Sequence, residues 1–202
     1  MAYGHSERRS SATGSSRERS SATKIVISDG FGVGKTTFVG AVSEIMPLRT
    51  EAIVTNASHG VDGLDATPQK HTTKVAMDFG GITLADDLIL YLFGTPGQRR
   101  FWFMWDDLVR GAIGAIILVD VRKLQDSFAA VDFFEARRLP FLIAVNEFDA
   151  GPKYPPDAVR KALALRDHIP VINVDARDRQ SARASLIAVT EYALANLSSL
   201  PG

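Results

Sequence analysis

The chain has 202 residues, which is enough for one domain with a full hydrophobic core. Basic and acidic residues number 23 each, so the sequence lacks the positive field with which nucleic-acid-binding proteins attract phosphates. Cysteine is absent, which excludes disulfides, thiolate metal sites and lipid anchors on cysteine. No apolar run reaches the roughly 20 residues that span a bilayer, and we see no signal peptide. We therefore expect a cytoplasmic protein that reaches a membrane only through partners.

Residues 1–22 contain mainly serine, with arginine, glutamate and a single aromatic residue, Tyr3. Such a composition buries too little apolar surface to fold by itself. We predict a disordered tail over residues 1–22, followed by one domain over residues 23–202. The arginines of the tail suit either a solvated linker or a contact with an acidic partner or lipid surface, and we favour the linker.

From residue 24 onward, short apolar runs alternate with segments of helical periodicity, which is typical of an α/β fold. Six strands are predicted, at residues 25–28, 75–79, 88–93, 115–119, 141–145 and 171–174. About five helices are predicted, at residues 35–45, 100–109, 126–138, 156–166 and 180–197. Gly80 and Gly81 indicate a tight hairpin, so the sheet is expected to be mostly parallel with one antiparallel strand at its edge.

A glycine-rich segment connects the first predicted strand to the first predicted helix, which is the context of a Walker A phosphate loop. Its main-chain amides and the N-terminus of the helix would bind phosphate. Lys35 would reach the terminal phosphates, and the Thr36 hydroxyl would ligate Mg²⁺. The predicted phosphate-binding residues are Gly30, Phe31, Gly32, Val33, Gly34, Lys35, Thr36 and Thr37.

Asp29 occupies the position of the first glycine in the Walker A consensus. At roughly 8 Å and an effective dielectric constant of about 20, its carboxylate would repel each phosphate charge by roughly 2 kcal/mol. If the side chain turns away and caps backbone amides, its effect is close to neutral. Both alternatives are open.

Asn146 and Asp149 form an Asn-x-x-Asp pattern at the end of the fifth predicted strand. The Asp149 carboxylate can accept hydrogen bonds from N1–H and the 2-amino group of guanine, a pair of donors that adenine lacks. Asn146 would brace the loop. Ala176 and Arg177 follow the sixth strand, where a backbone amide could contact the guanine carbonyl. These four residues are the predicted guanine-binding residues.

Residues 30–37, 95–98, 146–149 and 175–177 follow the order of motifs in small Ras-like GTPases, and the resemblance covers residues 24 to about 198. The runs Met-Asp-Phe-Gly, Leu-Phe-Gly-Thr-Pro-Gly-Gln and Phe-Trp-Phe-Met-Trp-Asp-Asp-Leu-Val-Arg-Gly-Ala resemble most the GTPases encoded in actinobacterial conservons. Bacterial gliding-motility GTPases are more distantly similar. The resemblance implies a P-loop NTPase of the Ras-like three-layer fold, and a GTP/GDP switch in signalling.

By the same resemblance, the two switch loops are residues 47–74 and 94–105. Gly97 would offer its amide to the γ-phosphate, and Gln98 would be the catalytic residue that orients water. Thr72 and Thr73 are both candidates for the threonine that joins Thr36 on Mg²⁺, and we favour Thr73. Gly94 stands where the family has an aspartate, and Glu147 stands where it has a lysine. Slow intrinsic GTP hydrolysis, accelerated by a partner, is therefore expected.

Five large apolar side chains, Phe101-Trp102-Phe103-Met104-Trp105, form the end of the predicted second switch. A helix cannot turn all five toward one core, so a docking patch and tight packing against the sheet are both open. The resemblance implies protein partners of the roadblock type and a sensor kinase.

Two other functions fit the sequence. A P-loop ATPase or kinase would use Asp120, at the end of the fourth predicted strand, as its metal-side carboxylate, but leaves Asn146 and Asp149 unexplained. A pseudo-GTPase scaffold would keep the fold without hydrolysis or nucleotide, as Asp29, Lys74 and Gly94 suggest. We favour the GTP-regulated switch.

Overall fold

The computed structural model describes residues 21–29, 32–46, 48–55, 72–149 and 151–198, so residues 1–20 of the predicted tail lie outside the described part of the chain. The strands in this part are β1 (Ser21–Asp29), β2 (Leu48–Thr55), β3 (Thr72–Ala85), β4 (Leu88–Gly94), β5 (Gly114–Val119), β6 (Phe141–Asn146) and β7 (Val171–Val174). The helices are α1 (Lys35–Val42), α2 (Trp105–Val109), α3 (Phe128–Arg137), α4 (Pro156–Ala162) and α5 (Arg179–Ser198). Short 3₁₀ segments, Arg99–Met104 and Val121–Ser127, precede α2 and α3.

The strands form one sheet in the order β2-β3-β4-β1-β5-β6-β7. Strands β4, β1, β5, β6 and β7 run parallel, and β3 is antiparallel to both of its neighbours. Successive residues of β1 point to opposite faces: Ile25 and Ile27 join a core with α1 and α5, whereas Val26 joins a core with α2, α3 and α4. The predicted three-layer α/β fold with a mostly parallel sheet is thus confirmed.

Strand β2 is the main difference from the predicted fold, which had six strands and a loop over residues 47–74. Residues 48–55 pair in antiparallel register with β3, from Leu48 opposite Phe79 to Thr55 opposite Thr72. An antiparallel partner satisfies the backbone groups of this segment, which gives it a stable place at the edge of the sheet. The antiparallel strand β3 is consequently second from the edge, and residues 56–71 of the predicted switch lie outside the described residues.

The β3–β4 hairpin turns at Asp86 and Asp87, five residues beyond the predicted glycine pair. Gly80 and Gly81 lie inside β3, where they allow the end of α1 to approach closely. A Cβ atom on Gly80 would lie 2.8 Å from Val39 Cγ1, and the Gly81 amide donates to Ser43 Oγ at 3.2 Å. The glycines are therefore required by packing between helix and strand.

Candidate functional site

The described parts of the phosphate loop, the second switch and the two predicted guanine-binding segments lie at the carboxyl edge of the parallel strands. The phosphate loop follows β1, the second switch follows β4, Asn146 ends β6, and the segment 175–177 follows β7. Open α/β sheets bind their ligands at this edge, because the loops that leave neighbouring strands converge there.

The described part of the phosphate loop depends on two glycines with positive φ. Gly32 has φ +82° and Gly34 has φ +109°, a region that other residues adopt only with strain. Gly34 precedes α1, and its carbonyl accepts the first helical hydrogen bond from the Phe38 amide at 2.8 Å. Gly30, Phe31 and the side chain of Asp29 lie outside the described residues, so both alternatives for Asp29 stay predictions.

Asn146 connects the phosphate loop to the two loops that carry the predicted guanine-binding residues. Its buried side chain donates from Nδ2 to the Val33 carbonyl at 2.8 Å and accepts from the Ala176 amide at 3.0 Å. The Asn146 amide also lies 2.8 Å from where a Cβ atom on Gly34 would be, so a side chain there would disrupt this contact. Asn146 thus links the phosphate loop to the loop after β7, and its role toward guanine stays a prediction.

Asp78, on β3, is a candidate site residue that is not among those predicted from the sequence. The Thr36 hydroxyl donates to Asp78 Oδ2 at 3.0 Å. A Cβ atom on Gly94 would lie 3.0 Å from Asp78 Cβ and 3.1 Å from Lys35 Cδ, so Asp78 fills the space that a side chain at position 94 would take. Its signal in the sequence is a carboxylate inside a strand, in the run Met-Asp-Phe-Gly.

Thr36 and Asp78 offer the hydroxyl and carboxylate oxygens that Mg²⁺ prefers. Within the described ranges, no group of three or more histidine, aspartate or glutamate side chains is arranged to hold a metal ion. A magnesium ion here would therefore need phosphate oxygens and water to complete its shell, as is usual for this ion. The side chain of Thr73, the other predicted ligand, lies outside the described residues.

The start of the second switch is fixed to the core, whereas Gln98 is exposed. Thr95 is buried and donates from its amide to the Ile27 carbonyl at 2.9 Å. The Pro96 carbonyl accepts from Trp105 Nε1 at 3.2 Å. Gln98 then precedes the 3₁₀ segment with its side chain on the surface. Gln98, the residue predicted to orient water, is therefore exposed and follows the half-buried Gly97, just after the segment that is hydrogen-bonded to the core.

The predicted guanine-binding groups lie together and hydrogen-bond to one another. Arg177 donates from both terminal nitrogens to Asp149, at 2.7 and 2.9 Å, and also contacts Asp175. These hydrogen bonds lower the pKa of Asp149 and lower that of Asp175 to about 2. The Ala176 amide is bonded to Asn146 and the Arg177 amide to Asp175. A bound base would have to exchange some of these contacts.

Glu147 forms contacts on both of its oxygens. Lys153 Nζ lies 3.0 Å from Glu147 Oε2, and Asn173 Nδ2 donates to Oε1 at 3.1 Å. The ammonium group of Lys153 thus lies beside position 147, where the resemblance predicts a lysine.

Asp120, the carboxylate that an ATPase would use, is held by Arg122. The Arg122 amide donates to Oδ1 at 2.9 Å, and the guanidinium donates to both oxygens, at 2.8 and 2.7 Å. These bonds lower the pKa of the buried Asp120, and Arg122 also stacks over Phe148 at 4.1 Å. Asp120 therefore organises the loop after β5, with little capacity left for a metal ion.

The aromatic segment at the end of the second switch divides between core and surface. Phe101 and Trp105 are buried, and Trp105 packs against Phe133 with ring centroids 5.0 Å apart. Phe103, by contrast, is 57% exposed. Tight packing thus accounts for part of the segment, and Phe103 stays available for a contact at the surface.

None of the described helices has the length and apolar character needed to cross a membrane.

Comparisons with solved structures identify G domains with the same fold. The FeoB G domain of Methanococcus jannaschii matches with a TM-score of 0.56 and 14% identity, over 86% of this chain and 98% of that one. The G domain of the FeoB iron transporter of T. maritima matches with a TM-score of 0.56 and 17% identity, over 86% and 99%. The cytosolic domain of the latter protein in a GDP form gives a TM-score of 0.58 and 17% identity, over 86% and 64%.

Two curated proteins match parts of the sequence. An uncharacterized protein of Methanocaldococcus jannaschii is 33% identical over 78 residues, which are 38% of this chain and 50% of that protein. Translation initiation factor IF-2 of Acidobacterium capsulatum is 30% identical over 122 residues, which are 54% of this chain and 11% of that protein. The chain thus spans half of the first relative and about a tenth of the second.

A family model described as "Conserved hypothetical ATP binding protein" matches residues 27–196. The match includes the phosphate loop, the second switch and both loops joined by Asn146. The chain therefore belongs to this family of nucleotide-binding P-loop proteins.

Proposed function

We propose that the protein is a GTP/GDP-binding switch with slow intrinsic hydrolysis. One observation carries the proposal: Asn146 joins the phosphate loop to the loop after β7, at 2.8 Å from Val33 and 3.0 Å from Ala176. The phosphate site and Asp149 therefore belong to one connected unit, in which a nucleotide could contact both. The domain would extend from about residue 21 to residue 202, because β1 begins at Ser21, two residues before the predicted boundary, and the rest of the tail would lie outside it.

Guanine is proposed as the base, although the family description names ATP. The two oxygens of Asp149 match the two adjacent donors on guanine, and adenine offers no such pair. The arrangement expected for the rival ATPase is less favoured, because Asp120 is buried and accepts from both the main-chain amide and the guanidinium of Arg122, whereas Asp149 is exposed and can exchange its arginine for a base.

Mg²⁺ is proposed to bind at the Thr36 hydroxyl, together with phosphate oxygens and, directly or through water, Asp78. Placing the carboxylate on β3 makes up for the aspartate missing at Gly94. Gly97 would contact the γ-phosphate and Gln98 would orient water. Because Gln98 is exposed, its alignment would depend on a partner, which fits slow hydrolysis by the isolated protein.

A signalling role, with roadblock-type and sensor-kinase partners in the cytoplasm or at a membrane surface, follows from the resemblance to conservon GTPases. Exposed Phe103, within the predicted second switch, supports a contact that senses the nucleotide state.

A pseudo-GTPase scaffold is the second candidate, and a specific contact favours it. Arg177 uses both oxygens of Asp149, as a guanine base would. If Arg177 were never displaced, the site would stay closed to the base.

The test is calorimetry of the purified protein with GTP, GDP and ATP in the presence of Mg²⁺, together with identification of any co-purified nucleotide. We expect binding of GTP and GDP, with ATP much weaker, and loss of this preference in Asp149→Ala. Preferential binding of ATP would support the family description instead. If none of the three nucleotides bound, the pseudo-GTPase scaffold would be the function that remains.

Hydrolysis is tested by measuring phosphate release from GTP. We expect this release to be slower in Gln98→Leu than in the natural sequence.

The role of Asp78 has its own measurement. In Asp78→Asn, we expect the affinity for GTP to fall when Mg²⁺ is present and to change little in EDTA, because only the metal-dependent contact is weakened. An equal loss under both conditions would show that Asp78 acts through the structure of the loop.

A further inference from the structure

A shallow apolar groove lies between the β3–β4 hairpin and α5, on the face of the domain away from α3 and α4. Its volume is about 200 Å³. Ile82, Leu90 and Leu186 are buried residues in its lining, while Leu84 and Ile187 are 52% and 58% exposed. Exposed apolar side chains that adjoin such a groove indicate a surface that another macromolecule covers.

The exposed apolar surface continues along α5. Ile187, Leu194 and Leu197 are all more than half exposed, and the steps of seven and three residues keep them on one side of the helix. A helix of 20 residues is about 30 Å long, so the stripe extends well beyond the groove.

Two opposite charges are placed symmetrically about Ile187 and also line the groove. Arg183 lies four residues before Ile187, and Glu191 lies four residues after it. At 1.5 Å per residue, each lies about 6 Å from Ile187 along the helix axis. Within the described part of the chain, neither is found in an ion pair.

This order of positive, apolar and negative side chains is self-complementary. If a second copy of the chain is related by a two-fold axis through Ile187, its α5 runs antiparallel and presents the reverse order. Arg183 of each copy then faces Glu191 of the other, and the two Ile187 side chains meet at the axis. Residues spaced by four form the ridges along which helices commonly pack.

We propose that α5 and the adjoining groove form a homodimer interface with two-fold symmetry, centred on Ile187. The interface pairs Arg183 with Glu191 twice and covers Leu84 and Leu194. It does not depend on nucleotide binding, so it can be tested even if the proposed function is wrong.

The test is sedimentation velocity of the full chain over about 1–300 µM. We expect a concentration-dependent dimer for the natural sequence. Arg183→Glu and Glu191→Arg each create two like-charge contacts across the axis and should raise the dimer dissociation constant at least about tenfold. Lys161→Glu and Asp132→Arg make the same changes in net charge at exposed positions on α4 and α3, and should leave the dimer unchanged.

Mixing the two single variants provides the decisive measurement. In a dimer of one Arg183→Glu chain and one Glu191→Arg chain, each of the two contacts joins opposite charges, so an equimolar mixture should dimerise again. The double variant should also recover the dimer. A monomer at all concentrations, a dimer insensitive to the single changes, or a mixture that stays monomeric would each overturn the proposal. Circular dichroism of every variant verifies that it is folded.

Discussion

At the scale of single residues, the central contact is the one between Arg177 and Asp149. The carboxylate is 81% exposed, yet both of its oxygens accept hydrogen bonds from the guanidinium. Asp175 holds the same arginine, so Arg177 can lose Asp149 and remain in place. Under the proposed function, Arg177 and guanine compete for one carboxylate.

Replacing Arg177 by alanine should therefore tighten GTP and GDP binding about two- to fivefold, the range expected for an exposed ion pair. The measurement is calorimetry, and ATP binding should not improve. Lys161→Ala removes the same charge from the exposed face of α4 and serves as the control. Weaker binding in Arg177→Ala would show that the arginine contributes directly to the nucleotide site.

Asp175 should make the free energy of unfolding depend on pH in the acid range. Hydrogen bonds from Arg177 lower the pKa of this carboxyl from 3.8 to about 2 in the folded state. Because the folded pKa is the lower one, the stabilisation is present above about pH 4 and is lost as the pH falls toward 2. In Asp175→Asn, the free energy of unfolding, measured by urea denaturation, should fall less steeply over this interval. If the free energy of unfolding fell as steeply with pH in Asp175→Asn as in the natural sequence, the contribution of the Asp175–Arg177 contact would be contradicted.

At the scale of secondary-structure elements, the approach of α1 to β3 determines the position of the helix that follows the predicted phosphate loop. Val39 and Ser43 reach into the space left open by Gly80, so the helix lies close to the strand that carries Asp78. The same approach brings Thr36, at the start of the helix, within hydrogen-bonding distance of Asp78.

Gly80→Ala should destabilise the fold by about 1–3 kcal/mol, because its Cβ atom would lie 2.8 Å from Val39 Cγ1. Gly40→Ala is the matched control, since a Cβ atom at this position of α1 meets no atom within 4 Å. Alanine favours the helix there and should stabilise it by about 0.5–1 kcal/mol. Urea denaturation of both variants measures the difference. Equal effects would mean that the close contact carries no cost.

At the scale of the whole molecule, the proposed boundary between tail and domain can be tested by truncation. Strand β1 begins at Ser21, whose amide donates to the Asp87 carbonyl. Removing residues 2–20 should change the melting temperature by less than about 2 °C and leave GTP affinity intact, because their composition offers little apolar surface to bury. A larger loss in either quantity would show that the N-terminal segment belongs to the domain.

The sequence predicts most of the architecture because its signals are local. Each buried parallel strand appears as an apolar run, and each of the five helices has a segment of helical periodicity. Strand β2 was missed because an edge strand obtains its hydrogen bonds from β3, a partner that its own residues do not reveal. The turn was misplaced because Gly80 and Gly81 suit a tight turn and a close helix contact equally well.

For this protein, the sequence by itself determined the fold class, the phosphate loop and the order of the nucleotide-binding motifs, since these depend on residue type and spacing along the chain. Tertiary structure alone placed Asp78 at Thr36 and Arg177 on Asp149. The Thr36–Asp78 and Asp149–Arg177 contacts join residues from different elements. Whether a carboxylate faces a metal site, a base or an arginine therefore depends on how those elements pack.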